Sequence, residues 1–220
     1  MIDTLDEIKL HLDSSVEWDI GREHDMNFTL VYKGPLPTNA RAPEKQRIRQ
    51  QFHPQLKEFW ANRLAHRVSR AGITMQDMPL GTPVARDHVD TIAKNYALGE
   101  YGFVPLVTET SALACRLDIF FLSKGLHQRI IANADLDNRL KSLFDGLRRP
   151  DRLEELGGWT PSEDEKPFYC LLSNDSLITD IRITGETLLD PSITDPNHYH
   201  LFVRVKTRPL RLTLVNADML

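Results

Sequence analysis

Residues 112–122, ALACRLDIFFL, alternate over a full strand length. Leu113, Cys115, Leu117, Ile119 and Phe121 fall on one face, and Arg116 and Asp118 on the other. Side chains of a strand point alternately to opposite faces, so this pattern requires a sheet with one face covered and the other partly wet. Residues 197–207, NHYHLFVRVKT, repeat it with Tyr199, Leu201, Val203 and Val205 as the core face, and 26–33, MNFTLVYK, alternate well enough for another strand. Helices must supply the covering layer. Leu140, Leu143, Phe144 and Leu147 recur at i, i+3, i+4 and i+7 across a helix expected from Asp137 to Leu147. A second helix is expected within 43–72, broken at Pro54 and ended by Gly72, with Leu56, Phe59, Trp60 and Leu64 at helical spacing. Strands mixed with helices, with few clean βαβ units, predict an α/β or α+β fold: a small mixed sheet packed with helices.

The remaining segments organise around that frame. GPLPTNARAP, 34–43, is a loop by its prolines and glycine. Residues 73–88 read as loop and 89–99 as at most a short helix. Residues 168–183 read as two apolar pieces split by Ser173-Asn174-Asp175. Neither an internal repeat nor a low-complexity tract is present. The chain is expected to be a single domain over 1–220, with a helical elaboration at 40–100 and an insertion at 148–167 holding one short helix and a charged loop.

Composition narrows the class. Of 220 residues, 41% are hydrophobic and 26% charged, which is globular usage and not that of a disordered chain. No apolar run approaches the roughly 20 residues that cross a bilayer; the longest, near Leu117–Leu122, contains Asp118. The first residues, MIDTLDEIKLHL, lack the basic and apolar regions of a signal peptide. Cys115 and Cys170 lie far apart inside apolar runs, so they are expected as buried thiols in a reducing, cytoplasmic setting, not as a disulfide or zinc site. The net charge of −4 counts mildly against a dedicated duplex-DNA binder. A nuclease, which carries acidic metal ligands, remains compatible with it. No G-x-S-x-G, P-loop or G-x-G-x-x-G supports acyl-transfer, NTPase or dinucleotide chemistry.

The chemistry-bearing stretch is IIANADLDNRLKSLFDGLRRP, 130–150. Asp135 stands just before the expected helix, while Asp137, Lys141 and Asp145 share a face one turn apart, with Asn138 in the first turn. Carboxylates at a helix mouth suit Mg²⁺, which takes one or two carboxylates plus a substrate phosphate and keeps several waters. The helix N-terminus also favours a phosphate, and Lys141 could stabilise charge developing on it. The plain alternative is an N-cap followed by a surface i,i+4 pair of Asp137 with Lys141. D-x-D also occurs in sugar-nucleotide transferases, where it binds a metal diphosphate. Asp175 lies in the polar break of LLSNDSLITDI, and a strand-turn-strand there could bring a third carboxylate to the helix mouth.

Other charged groups have two readings each. Lys45, Arg47, Arg49, His53 and Lys57 form a basic helix that could track phosphates, or a solvated face. Arg148 and Arg149 could grip a phosphate or complement the helix end. Asp145 reads as orienting Lys141. Asp118 reads first as an ion pair with Arg116, and His198 with His200 as a surface pair.

The pattern Asp135-Leu136-Asp137-Asn138, Lys141, Phe144, Asp145 and Leu147, followed by Asn174, Asp175 and Ile178 with Asp180, resembles the RusA-type Holliday junction resolvases over about 112–207. The resemblance implies a small mixed α/β domain that forms a homodimer and cuts branched DNA by paired nicks. It implies Mg²⁺, or Mn²⁺ in its place, held by Asp135, Asp137 and Asp175, with Lys141 required for cleavage. The helix-rich 40–100 region has no counterpart in that family. A non-catalytic nucleic-acid or protein-binding module on the same fold is the alternative.

Overall fold

The computed structural model describes residues 26–70, 83–124, 135–195 and 197–210; the side chains of 63–70, 83–88 and Asp135 also lie outside what is described. Among the described residues, six strands and three α-helices run in the order β1 (Met26–Pro35), α1 (Ala42–Arg70), α2 (Pro83–Asn95), β2 (Phe103–Val107), β3 (Leu113–Ser123), α3 (Asp135–Leu147), β4 (Phe168–Leu172), β5 (Ile178–Thr187) and β6 (His198–Pro209). Short 3-10 turns occupy Leu153–Leu156, Glu163–Glu165 and Asp175–Leu177.

The main sheet has the order β1-β6-β3-β5. β6 runs antiparallel to both β1 and β3, and β3 runs parallel to β5, so the sheet is mixed. β2 and β4 form a separate parallel pair. The alternation read from the sequence is realised. Leu113, Cys115, Leu117, Ile119 and Phe121 of β3 are buried, as are Tyr199, Leu201, Val203 and Val205 of β6. They form one core with Leu143 and Leu147 of α3 and with Ile48, Phe52, Leu56 and Trp60 of α1, against which Leu140 and Phe144 pack partly buried. Cys115 and Cys170 are buried free thiols, each pushed up to about 12 by burial.

Two expectations are corrected. α1 is not broken at Pro54 but runs through it from Ala42 to Arg70. A proline inside a helix removes one backbone hydrogen bond and crowds the preceding turn. Here buried Ile48 and Phe52 before it, and Leu56 and Trp60 after it, hold both halves on the same core, so packing outweighs propensity. Helix α2 likewise starts at Pro83, inside the segment read as loop. β2, FVPLV, has no counterpart in the sequence reading, because it is short and carries Pro105. In a two-stranded sheet each strand is an edge, where a missing N–H is tolerated.

The open edge of β1 is closed by side chains of α1. Gln55 Oε1 accepts from the Val31 N–H at 2.8 Å, its Nε2 donates to the Val31 carbonyl at 2.7 Å, and Gln51 Oε1 accepts from the Lys33 N–H at 3.1 Å. A bare strand edge invites pairing with other chains, and these amides remove that opportunity.

α1 and α3 cross in close contact at Gly146. A Cβ placed there would stand 2.3 Å from Ile48 Cγ2 and 2.8 Å from its Cβ. Gly146→Ala is therefore expected to lower the unfolding free energy by about 1–3 kcal/mol through overpacking. Combining it with Ile48→Ala should return part of that loss in a urea-denaturation double-mutant cycle. Additive effects would show that the two positions do not meet.

Candidate active site

α3 is fixed on several sides. Leu143 and Leu147 are buried in the core. On another flank, the loop after β1 docks along the helix: the buried Ser142 hydroxyl donates to the Pro37 carbonyl at 2.8 Å and accepts from the Ala40 N–H at 3.3 Å, and Arg139 donates to the Leu36 carbonyl. The Arg139 guanidinium also lies 5.0 Å from the Tyr199 ring centroid, a cation–π contact. No sequence signal marked Arg139 or Ser142, because the backbone groups that they bond in the loop after β1 lie about a hundred residues away.

What remains exposed is the face that carries Asp137 and Lys141. The helix starts at Asp135, so Asp137 lies inside its first turn. The surface i,i+4 pair does not form: neither Asp137 nor Lys141 makes an ion pair with a described residue, although they are one turn apart.

The second acidic segment reaches the same helix. The 3-10 turn Asp175–Leu177 packs against α3, and Leu177, Leu136 and Leu140 all pack on the main core. The turn is held from before and within. Ser173 is buried, its N–H donates to the Val107 carbonyl at 2.9 Å, and its hydroxyl donates to Glu109 at 2.9 Å. Asn174 caps the turn by accepting from the Ser176 N–H at 2.9 Å. Asp175 follows, exposed, on a turn anchored before it and within it.

The chemistry of these donors fits a hard divalent cation: exposed carboxylates from a helix first turn and a neighbouring turn, uncompensated by a described cation, with a lysine one turn away. Among the described residues no group of three or more His, Cys, Asp or Glu stands together in metal-holding geometry. Asp135 heads the helix, and its side chain lies outside the described residues.

The other candidates are placed differently from the sequence reading. Asp145 does not orient Lys141. Its carboxylate pairs with Lys45 at 2.6 Å and with Arg148 at 2.9 Å. Burial pushes the Asp145 carboxyl up, but hydrogen bonds and charge from Lys45 and Arg148 outweigh it and hold the group below its ordinary value. Arg49, a candidate phosphate contact, is only 1% exposed. It donates to the Arg148 carbonyl at 3.0 Å and the Glu155 carbonyl at 3.2 Å, so its fork is spent inside the protein. Arg148 is tied to Asp145, to Asp151 at 3.1 Å and to Glu155 at 3.0 Å. Lys45, Arg49 and Arg148 thus join α1, the end of α3 and the 153–156 turn. Arg149 lies over the Tyr96 ring and donates to the Pro150 carbonyl. His53 accepts from the Tyr169 N–H at 2.9 Å and stacks on Phe168, an interior role.

Asp118 pairs with Arg116 at 2.7 Å and Lys206 at 3.1 Å, as its default reading had it, and Asp180 also meets Arg116, at 3.4 Å. His198 and His200 stand edge to face, 5.3 Å apart. A hollow of about 510 Å³ between α2 and the insertion is lined by Lys94, Tyr101, Trp159 and Phe168 among others, and none of the acid-site residues borders it.

No helix among the described residues is long and apolar enough to cross a membrane. No protein-family model, curated protein or solved structure matches the chain.

Proposed function

We propose that the chain is a Mg²⁺-dependent endonuclease that hydrolyses phosphodiester bonds of branched DNA, working as a homodimer in the manner of the RusA-type resolvases. The observation that carries this reading is the packing of the Asp175 turn against α3, beside the exposed Asp137 and Lys141, neither of which pairs with a described residue. Asp135, Asp137 and Asp175 would hold the cation, with Mn²⁺ as a substitute. The metal would supply an activated water and neutralise the scissile phosphate. Lys141 offers a cation for the charge that develops on the phosphorus oxygens or the leaving oxygen. The α3 N-terminus presents N–H groups to the same phosphate. Asn138 sits in that first turn as a supporting residue.

The test is cleavage of labelled four-way junction, flap, single-stranded and linear duplex DNA with Mg²⁺ or Mn²⁺. Paired nicks in the junction that disappear with EDTA are the expected result. Metal-dependent cutting of another substrate would keep the chemistry and reject junction resolution. No cutting of any substrate, with no rise in melting temperature on adding Mg²⁺ or Mn²⁺, would overturn the enzymatic reading in favour of a binding module.

A further inference from the structure

One face of the main sheet packs on the core; the other is buried at Ala114 and Arg116 at one end of β3 and exposed further along, around Phe120 and Phe202. Phe120 of β3 and Phe202 of β6 are directly opposed across the two central strands, with Val31 of β1 beyond Phe202. The two rings are 41% and 39% exposed. Neither makes a ring contact with a described aromatic residue.

The rows of side chains around this pair are cationic. Lys33, Arg116, Arg182, Arg204, Lys206 and Arg208 share the face by strand register. Asp118, Asp180 and Glu186 are the carboxylates there. Arg116 and Lys206 are occupied by Asp118, and Arg116 also by Asp180. Arg182 and Arg204, which flank the aromatic row, carry no ion pair to a described residue. Among the described residues, Lys33, Arg182 and Arg204 stand on this face with no ion pair, against Glu186 as the unpaired carboxylate, a local positive excess on a chain of net charge −4.

We propose that this face binds single-stranded nucleic acid, with bases stacked on Phe120 and Phe202 and phosphates on Arg204, Arg182 and Lys33. Stacking on an exposed ring needs a free base face, which a single strand offers and an intact duplex hides. A cationic rim then attracts the backbone at any sequence. A second copy of the chain fits less well, because the same cationic surplus would meet itself and the apolar part is small. The inference goes beyond the endonuclease reading and does not require it: the platform lies on the sheet face opposite the core, while α3 is packed into that core.

The experiment is fluorescence anisotropy of a labelled oligothymidylate, and of a duplex of equal length, against the full chain in EDTA, where metal-dependent cutting is silent. Single-strand binding that weakens with salt is expected, tighter than duplex binding. Phe120→Leu and Phe202→Leu keep apolar bulk and remove the ring, so each should weaken single-strand binding about five- to a hundredfold with an unchanged melting temperature. Arg204→Ala should lower the slope of log affinity against log salt by about one. Binding is read in EDTA with no cleavage readout, which separates this inference from the fate of the nuclease reading. Absence of single-strand binding at low salt would overturn the proposal, and so would binding that both leucine variants leave intact. Self-association that the leucine variants abolish, without oligonucleotide binding, would assign the face to contact between copies instead.

Discussion

Asp137→Asn is expected to reduce metal-dependent cleavage by roughly a thousandfold or more, since a ligand of the cation that activates the water would be lost. The substitution keeps the shape of the side chain and one oxygen but removes the charge. Asp137 is exposed and makes no ion pair with a described residue, so the metal-free melting temperature should stay close to that of the wild type. Loss of a negative charge from the first turn of a helix costs only about 0.3–1 kcal/mol. Asp175→Asn should behave alike, and Lys141→Met should lose turnover while retaining Mg²⁺-induced stabilisation, because the lysine is not a metal ligand. Cleavage that survives Asp137→Asn would sink the assignment of the site. The readout must be single-turnover cleavage with saturating metal, so that weakened metal affinity is not mistaken for lost chemistry.

Asp145→Ala should act on stability instead, by about 3 kcal/mol. The buried carboxylate faces Lys45 and Arg148, and Arg148 lies close to buried Arg49, whose side chain donates to the Arg148 carbonyl. Removing the anion leaves cations in the interior with only Glu155 and Asp151 to answer them. Burial depresses the Arg49 guanidinium, a sign that this charge is already held at a cost. The pH dependence follows from the direction of the Asp145 shift. Its folded-state value lies below its unfolded value of about 3.9, so its contribution is fully present above that value and fades as pH falls through the folded one. The stability gap between wild type and Asp145→Asn should therefore be flat from neutral pH to about pH 5 and close below about pH 4. Urea denaturation across that range checks it. A gap that widens on acidification would contradict the assigned ion pairs.

Periodicity made much of the architecture legible. The faces of β3 and β6 and the stripe of α3 could be read because burial imposes a period of 2 or 3.6 on local sequence. The link between Asp175 and α3 was readable only as a possibility, since it depends on how a polar break folds between two apolar pieces. Arg49 could not be placed from sequence. An arginine in a run with Lys45 and Arg47 looks like surface, and the Glu155 that accepts it is supplied by a turn some hundred residues later. Asp145 is half such a case: its spacing of four from Lys141 was visible, but its partners are Arg148, three residues on, and Lys45, which comes from another helix. Pro54 shows the converse: a strong local signal overruled by the core on both sides of it. The exposure of Phe120 and Phe202 depends on their register across β3 and β6, which no single strand reveals.

The strand order carries a consequence for how the chain is made. β6 sits between β1 and β3, and it is the final described strand to leave the ribosome. Until residues 198–209 emerge, β1 has no neighbour among the described strands of the sheet, and β3 has β5 alone among them. Nascent chains halted before His198 should therefore stay protease-sensitive and expose apolar strand faces to chaperones. Pairing Met26 with Thr207 spans most of the polypeptide, a long-range closure that slows folding relative to a fold of local hairpins.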